Sequence, residues 1–236
     1  MKEKHQITDK YIAELYKFTR EHFVEHYDVQ TELVDHLAND IEQIWVAQPQ
    51  LSFNEAKIIS FKKFGIFGFM DVVEQKQKVM NKRYWKILWR FVKEWFSVPK
   101  IILTASVFTV FILLFQLRVS SIIVLIAIVT LLTFEFINEM IIKYKLRIIK
   151  KRKQKLFLLE EMIHNTKSGL LLVSVFNIFN FMNVFKIDFS SLSIYWVGLS
   201  SFVVTLFLVI YYVVTFVMPS KAEELLAEVY PEYKFL

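Results

Sequence analysis

Four long apolar segments occupy the second half of this chain, and each is about as long as a helix needs to cross roughly 30 Å of hydrocarbon. The segments cover about residues 98–117, 119–142, 168–185 and 192–218. The strictly apolar part of the first segment, residues 101–117, is the shortest run, and Val98 and the tryptophans beside it can extend it into the membrane interface. We therefore predict an all-α protein in which residues 98–218 form a four-helix transmembrane region.

The orientation follows from the basic residues between the second and third apolar segments. Residues 143–155 contain eight lysines and arginines in thirteen positions, whereas the connections at 118 and 186–191 carry one basic residue each. Loops rich in lysine and arginine stay on the cytoplasmic side of a membrane. We therefore predict a multi-pass protein of the cytoplasmic (inner) membrane, with the loop 143–167, the N-terminal region and the tail 219–236 in the cytoplasm.

The chain before the first apolar segment changes from acidic to basic as it nears the membrane. Residues 1–55 hold five Lys and Arg against eleven Asp and Glu, and residues 56–100 hold eleven against three. This gradient suits a domain above an anionic inner leaflet, where each basic residue contributes on the order of 1 kcal/mol. Nucleic acid is not expected as a direct partner, because no nucleic-acid motif accompanies the net charge of +6. The absence of cysteine excludes disulfides and thiolate metal sites.

Helical periodicity predicts that residues 1–80 form a cytoplasmic α-helical bundle. The expected helices cover about 9–25, 28–48, 53–64 and 69–96. Asp28 can cap the second helix and Pro49 bounds it. The third has the clearest local signature, because Ser52 and Glu55 have the spacing of a capping box and Gly65 follows the last turn.

Residues 81–97 carry aromatic side chains on one face and basic side chains beside them, as amphipathic helices at a headgroup boundary do. The residues that we assign to the membrane interface are Trp85, Trp89, Trp95, Arg83 and Arg90. We predict that this helix lies on the inner leaflet before the chain turns into the bilayer. The alternative is that its tryptophans pack against the soluble helices.

An acidic–histidine pair lies on the second predicted helix, and a Ser-x-x-Glu-Ala box opens the third. The residues concerned are Asp35, His36, Ser52, Glu55, Ala56 and the closing Gly65. In these motifs residues 7–70 resemble the bacterial helix-turn-helix-associated α-helical signalling (HAAS-like) domain. The resemblance implies a small cytoplasmic unit fused to transmembrane helices, in a regulatory membrane protein that works with a transcription regulator encoded elsewhere.

Two positions depart from the pattern of that family. The connection Gln48-Pro49-Gln50 lacks the glycine expected before the box, and Ile66-Phe67 stands where a proline is expected after Gly65. The resemblance does not extend to the apolar segments.

Histidines provide two candidate sites in the bundle. His22, Glu25 and His26 form an H-x-x-E-H pattern, which in metallopeptidases binds zinc from one helix face, but no third ligand accompanies it. We treat these three residues as weak metal candidates and expect no metal. His36 can titrate near neutral pH as a sensor, and our preferred interpretation is that it forms a hydrogen bond across the bundle and positions the helices.

Polar residues line the second and third apolar segments. They are Glu135 and Asn138 on the second, and Asn177, Asn180 and Asn183 on the third. Polar groups in hydrocarbon face the interior of a helix bundle. Their commonest use is to join helices by amide hydrogen bonds, and the alternative is a proton or cation path.

We predict a non-enzymatic protein without a cofactor. Four glycines leave no phosphate-binding loop, and no nucleophile motif is present. The expected role is regulation or protein interaction through the N-terminal bundle, with a cytoplasmic regulatory protein or a second copy as partner. The alternative is a small transporter or channel. In the tail, Ser220 and Glu223 predict a capped helix over 221–229, which either docks on residues 143–155 or is solvated.

Overall fold

The computed structural model describes residues 6–116, 130, 133–134, 136–144, 147–148, 155–165, 193–231 and 233. Within these ranges the protein is all-helical, as predicted, and contains no β-strand. The helices are α1 (Asp9–Glu21), α2 (Tyr27–Ala47), α3 (Phe53–Lys62), α4 (Met70–Glu94), α5 (Lys100–Gln116), α6 (Leu158–Asn165), α7 (Ile194–Tyr212), α8 (Met218–Ser220) and α9 (Ala222–Val229), with a π-helical segment at Val213–Val217.

The chain divides into two compact units. The first comprises residues 1–83 and 149–159, and the second comprises residues 84–148 and 160–236. Both α4 and α6 contain residues of each unit, so two helices connect the units covalently.

Helix α2 is the centre of the first unit, because α1 and α3 both pack against it. Its buried residues recur at helical spacing and are Val29, Gln30, Leu33, Val34, Leu37, Ile41 and Trp45. Leu15 of α1 and Ala56 of α3 are fully buried as well. The apolar face that periodicity predicts for the second helix is therefore confirmed.

Trp45 joins the end of α2 to its neighbours. Its indole N–H donates a hydrogen bond to the Leu51 carbonyl over 3.0 Å. Its ring lies 6.0 Å from that of Tyr11 on α1 and 6.3 Å from that of Phe53 on α3. Tyr11 and Phe53 in turn stack at 4.1 Å, so the three helices meet in one aromatic cluster.

The predicted capping box of α3 is confirmed. The Glu55 amide donates to Ser52 Oγ over 3.4 Å, and the Ser52 amide donates to Glu55 Oε2 over 2.9 Å. The Ser52 hydroxyl also donates to Glu55 Oε2 over 2.7 Å. This bond and the one from the Ser52 amide lower the pKa of the Glu55 carboxyl, because they stabilise its charged form. At the other end Gly65 has φ +80°, the left-handed conformation that glycine adopts without strain.

Helix α1 ends at Glu21, so the prediction that it continues to residue 25 is wrong. The Phe23 amide bonds the Arg20 carbonyl and the Val24 amide bonds the Thr19 carbonyl, each over 3.1 Å. This pattern is a Schellman motif, which requires a left-handed residue after the helix. Phe23 takes that position with φ +64°.

Two further capping predictions are wrong. Helix α2 begins at Tyr27, and Asp28 Oδ1 accepts the amide of Leu158 over 3.0 Å, so Asp28 caps α6 in place of its own helix. In the tail, Ser220 Oγ donates to the Val217 carbonyl over 2.8 Å and does not cap α9.

Asp40 of α2 pairs with Lys63 at the end of α3, over 2.5 Å. Burial raises the pKa of the Asp40 carboxyl, but the hydrogen bond and the positive charge of Lys63 outweigh burial, so that its pKa is lower than usual. The pair therefore stabilises the contact between α2 and α3 while the carboxyl is ionised.

Acidification is expected to weaken this contact. Because the pKa of Asp40 is lower in the folded than in the unfolded chain, its contribution is complete above about pH 5 and is lost as pH falls through the folded value. The loss should be about 0.5 kcal/mol, since the Lys63 side chain is more than half exposed. Hydrogen exchange of α2 and α3 between pH 5 and pH 3 measures it. Asp40→Asn should remove this pH dependence, whereas Asp35→Asn on the exposed side should retain it.

In the second unit, α5 packs against α7. The buried positions of α7 include Val197, Ser201, Thr205 and Val209, which follow one another at i+4 spacing. Small side chains on such a stripe allow the partner helix to approach closely. Thr205 Oγ1 donates to the Ser201 carbonyl over 2.8 Å, which satisfies the hydroxyl within its own helix.

By length and composition, one helix among the described residues could cross a membrane, the continuous helical stretch Ile194–Ser220. Its 27 residues include the π-helical segment, which lies just before Pro219. Proline lacks an amide and its ring crowds the carbonyl four residues earlier, so a widened turn accommodates it. This stretch corresponds to the fourth predicted span.

The structure gives less support to the other three predicted spans. Helix α5, Lys100–Gln116, is apolar but shorter than a full span. The segment 119–142 lies partly, and the segment 168–185 entirely, outside the described residues. The four-helix transmembrane region therefore stays a prediction.

Candidate membrane interface

The second half of α4 presents two apolar faces rather than the one broad face predicted from sequence. The buried residues are Tyr84, Ile87, Leu88, Phe91 and Val92. Trp85 and Trp89 point away from them and are 54% and 44% exposed. Since these two residues are separated by one helical turn, they form one exposed aromatic surface.

Basic side chains surround this aromatic surface. Lys82, Arg83, Lys86 and Lys93 are all exposed. Arg90 differs from them, because both of its terminal nitrogens contact the Glu228 carboxylate of α9 over 3.0 Å. The Glu228 hydrogen bonds raise the pKa of Arg90, and its burial only partly opposes this. Of the predicted interface cations, Arg83 is therefore exposed, whereas Arg90 binds Glu228 within the protein.

Trp95 connects α4 with the apolar helices. Its ring meets that of Tyr212 edge-on at 5.1 Å, which leaves it half-buried. Its carbonyl accepts a hydrogen bond from Thr104 Oγ1 of α5 over 2.8 Å. Lys100 Nζ lies 5.8 Å from the centroid of the same ring. Trp95 therefore fixes the turn between α4 and α5 in addition to any contact with lipid.

Helix α9 packs against α4, so the interpretation of the tail as a solvated terminus is wrong. Leu225 and Leu226 are buried, and Lys221 Nζ lies 5.6 Å from the centroid of the Phe91 ring. The pair of Arg90 and Glu228 adds a polar contact beside these apolar ones. An amphipathic helix of eight residues is stable here because its apolar face is covered. Residues 143–155, the other proposed partner, lie largely outside the described residues.

In the first unit, the H-x-x-E-H pattern does not lie on one helix, because α1 ends before it and α2 begins after it. His22 Nδ1 donates to the Phe18 carbonyl over 2.8 Å, and its ring packs against Phe18 and Phe61 at 4.2 and 4.6 Å. His22 therefore belongs to an aromatic cluster, and the shared helix face that the zinc hypothesis for His22, Glu25 and His26 requires is missing. Among the described residues no group of acidic or histidine side chains is arranged to hold a metal ion.

Asp35 and His36 are both exposed on α2. No hydrogen bond joins the His36 side chain to any residue within the described ranges, so the predicted bond across the bundle is not found there. The face of α2 that packs is formed by Leu33, Leu37 and Ile41 instead. Of the motif residues, Ser52, Glu55 and Gly65 have local structural roles.

Three exposed apolar residues, in the loops that follow α1 and α3, were not predicted from the sequence. Phe23 is 84% exposed, Ile66 is 99% exposed and Phe67 is 70% exposed. Gly65 and Gly68 both have positive φ and present the two residues between them to solvent. The signal in the sequence was the departure from the family pattern at Ile66-Phe67, which has two flanking glycines.

Replacing Phe23 by glycine is expected to stabilise the first unit by about 1 kcal/mol, because a left-handed conformation costs a residue with Cβ about 1–2 kcal/mol and the exposed ring contributes little packing. Unfolding of the full chain, followed by hydrogen exchange in α1, measures the gain. Phe23→Ala keeps the strained conformation and should give no gain. An equal gain in both variants would show that loss of the ring, not of strain, is responsible.

A second group that was missed lies just after the basic run, inside the predicted loop 143–167. Leu156, Phe157, Leu158 and Leu159 are all buried in or beside the first unit. The available signal was this run of four apolar residues, which is unusual in a solvated loop. Docking of the segment could not be predicted, since its partner residues precede it by more than a hundred positions.

The polar residues that are predicted to lie within the membrane are described only in part. Asn138 is half-buried, and its Nδ2 forms no hydrogen bond to the residues in the described ranges. Glu135, Asn177, Asn180 and Asn183 lie outside those ranges.

Comparisons of the chain with models of protein families, with curated proteins and with solved structures found no match.

Proposed function

We propose that this chain is a multi-pass protein of the bacterial inner membrane with a non-enzymatic, regulatory or protein-interaction role. Its N-terminal bundle acts as a cytoplasmic interaction module, and the second half of α4 holds that module at the anionic leaflet. The observation that carries the proposal is the exposed surface of Trp85 and Trp89 among lysines, on a helix that leads into apolar α5.

Contacts within each unit support an even number of membrane crossings. The Tyr27 amide bonds the Leu156 carbonyl, so both residues lie on one side of any bilayer, and spans one and two must both cross or both not cross. Likewise Arg90 contacts Glu228, although the candidate span Ile194–Ser220 lies between them. Because Arg90 and Glu228 touch, they lie on the same side of any bilayer. If the span Ile194–Ser220 crosses the membrane, the chain must therefore cross it at least once more between α4 and that span. Four spans with both termini in the cytoplasm satisfy both conditions.

The resemblance to the helix-turn-helix-associated α-helical signalling domain supports the choice of module. Ser52 and Glu55 form the box and Gly65 has the left-handed conformation, as a helical unit with that motif requires. The expected partner is a cytoplasmic regulatory protein or a second copy of this chain.

Tryptophan fluorescence tests the interface directly. Full-length variants that keep only Trp89 or only Trp45, with the other four tryptophans changed to Phe, are placed in vesicles containing brominated lipids. Trp89 should be quenched, and more strongly with anionic lipid, whereas Trp45 in the bundle core should not be. Equal quenching of the two would contradict the proposal.

The topology has an independent test, because the chain contains no cysteine. Single cysteines at Lys62, Ser193 and Glu224 are labelled in sealed vesicles with a reagent that does not cross membranes. Positions 62 and 224 should react from the same side and position 193 from the opposite side. Reaction of 62 and 224 from opposite sides would contradict four crossings.

A transporter or channel is the second candidate, favoured by the amide of Asn138, whose Nδ2 has no hydrogen-bond partner among the described residues. A half-buried amide without a partner is costly in an apolar surrounding and is found along substrate paths. The path would use Glu135, Asn177, Asn180 and Asn183 as well. Cation or proton flux in proteoliposomes should fall in Glu135→Gln, and flux that is unchanged in this variant would remove the candidate path.

A further inference from the structure

We propose that residues 155–159, named here the strap, form a releasable link through which the membrane region acts on the N-terminal bundle. The strap follows the basic run directly and belongs to the first unit together with residues 1–83. Its docking position is the N-terminal end of α2. The inference rests on the proposed function, since it concerns the regulation of the same module.

Two hydrogen bonds hold the strap in a defined register. The Tyr27 amide, one of the unsatisfied donors at the start of α2, donates to the Leu156 carbonyl over 2.8 Å. The Leu158 amide, at the start of α6, donates to Asp28 Oδ1 over 3.0 Å. Leu156, just before α6, therefore accepts a bond from the start of α2, and Asp28 in α2 accepts a bond from the start of α6. A slip of the strap by one residue would break both bonds.

Side chains add an apolar and a cationic contact. The Phe157 ring meets the Tyr27 ring edge-on at 5.6 Å and is almost fully buried. Lys155 Nζ lies 4.3 Å from the centroid of the same Tyr27 ring, a cation–π distance. Tyr27 is thus covered on two sides by the strap. Release of the strap would expose Tyr27 together with the buried side chains of residues 156–159.

The position of the strap in the chain makes it a link rather than a static cover. It lies in the connection between the second and third predicted spans, so in this proposal a movement of either span reaches the bundle through the strap. After the strap, α6 continues into the second unit, where Ile163 is buried. Because α6 has residues in each unit, the proposed route for a displacement between the units runs along this helix. The docked strap is one of the two states that such coupling needs, and the proposed released strap is the other.

Cysteine cross-linking in the full-length protein tests docking. Tyr27→Cys with Lys155→Cys places two thiols where the native side chains touch, and a short bismaleimide should join them about tenfold more efficiently than the matched pair Val46→Cys with Lys155→Cys, at the far end of α2. Comparable yields for the two pairs would overturn docking of the strap.

Hydrogen exchange tests the register. Asp28→Ala should speed exchange of the amides of Tyr27 and Leu158 together, by about fivefold, as loss of a helix cap does. Asp28→Asn keeps an acceptor oxygen and should restore protection. Faster exchange at Leu158 alone would overturn the mutual bonding of the two helices.

A change in the second unit tests the coupling itself. Ile163→Asp, or Ile163→Ala if the former does not fold, should loosen α6 and lower the yield of the pair at 27 and 155 several-fold, while Ile163→Leu should not. An unchanged yield with a loosened α6 would overturn the link. The tests need neither a signalling partner nor lipid contact at Trp89, so a failure of the proposed function would not alter them.

Discussion

Replacing Trp45 by alanine is expected to destabilise the N-terminal bundle by about 3–5 kcal/mol, the usual cost of removing a large buried aromatic side chain. Trp45 is buried where α1, α2 and α3 meet, and its indole N–H bonds the Leu51 carbonyl. Small domains have a stability of about 5–15 kcal/mol, so this loss would leave much of the bundle unfolded on moderate heating. Thermal unfolding of the full chain, with hydrogen exchange in α1 to α3 as the local readout, measures it.

Two variants make this prediction specific. Trp45→Phe keeps an aromatic ring but lacks the donor, and should cost about 1–2 kcal/mol. Val46→Ala changes the next residue, which is exposed, and should have little effect. A loss below about 1 kcal/mol in Trp45→Ala would contradict a central position of this ring in the core.

Changing Leu226 to aspartate is expected to detach α9 from α4. Leu226 is almost fully buried, and an unpaired carboxylate at such a site costs about 3 kcal/mol or more. The contacts of Arg90 with Glu228 and of Lys221 with Phe91 are too exposed to hold α9 alone. Limited proteolysis of the full chain should then cut the tail, and the apolar face of α4 around Phe91 should bind a hydrophobic dye.

The matched control lies on the same short helix. Glu224 is exposed, so Glu224→Gln should leave the tail resistant to protease. Leu226→Ala should give an intermediate effect, because it removes packing without introducing charge. A tail that stays resistant in Leu226→Asp would contradict the packing of α9 on α4.

The local elements of the first unit could be predicted because their causes are close together in the chain. The spacing of Leu33, Leu37 and Ile41 predicts a helix with one buried face. Ser52 and Glu55 are three residues apart and define the start of α3. Neither inference requires knowledge of what lies across the bundle.

Other features depend on contacts between distant residues and could not be predicted. Asp28 is a residue type that caps helices and it lies at the start of α2, yet its Oδ1 accepts a hydrogen bond from the Leu158 amide. Phe23 occupies a position that favours glycine, because the Schellman bonds and the burial of the neighbouring Val24 outweigh the local strain. The motif predicts that His36 forms a hydrogen bond across the bundle, although its place on α2 leaves it exposed.

By itself the sequence determined the helical character of the chain, the apolar stretch that includes Ile194–Ser220 and the basic run after the second apolar segment, since hydrophobicity, periodicity and charge act locally along the chain. Only the tertiary structure decided which face of α4 is covered by α9, which tryptophans stay exposed, and where residues 155–159 dock. The physical reason is that burial is a property of pairs of surfaces. An amphipathic helix shows that it needs a partner, but the partner is selected by shape and hydrogen bonding across the fold.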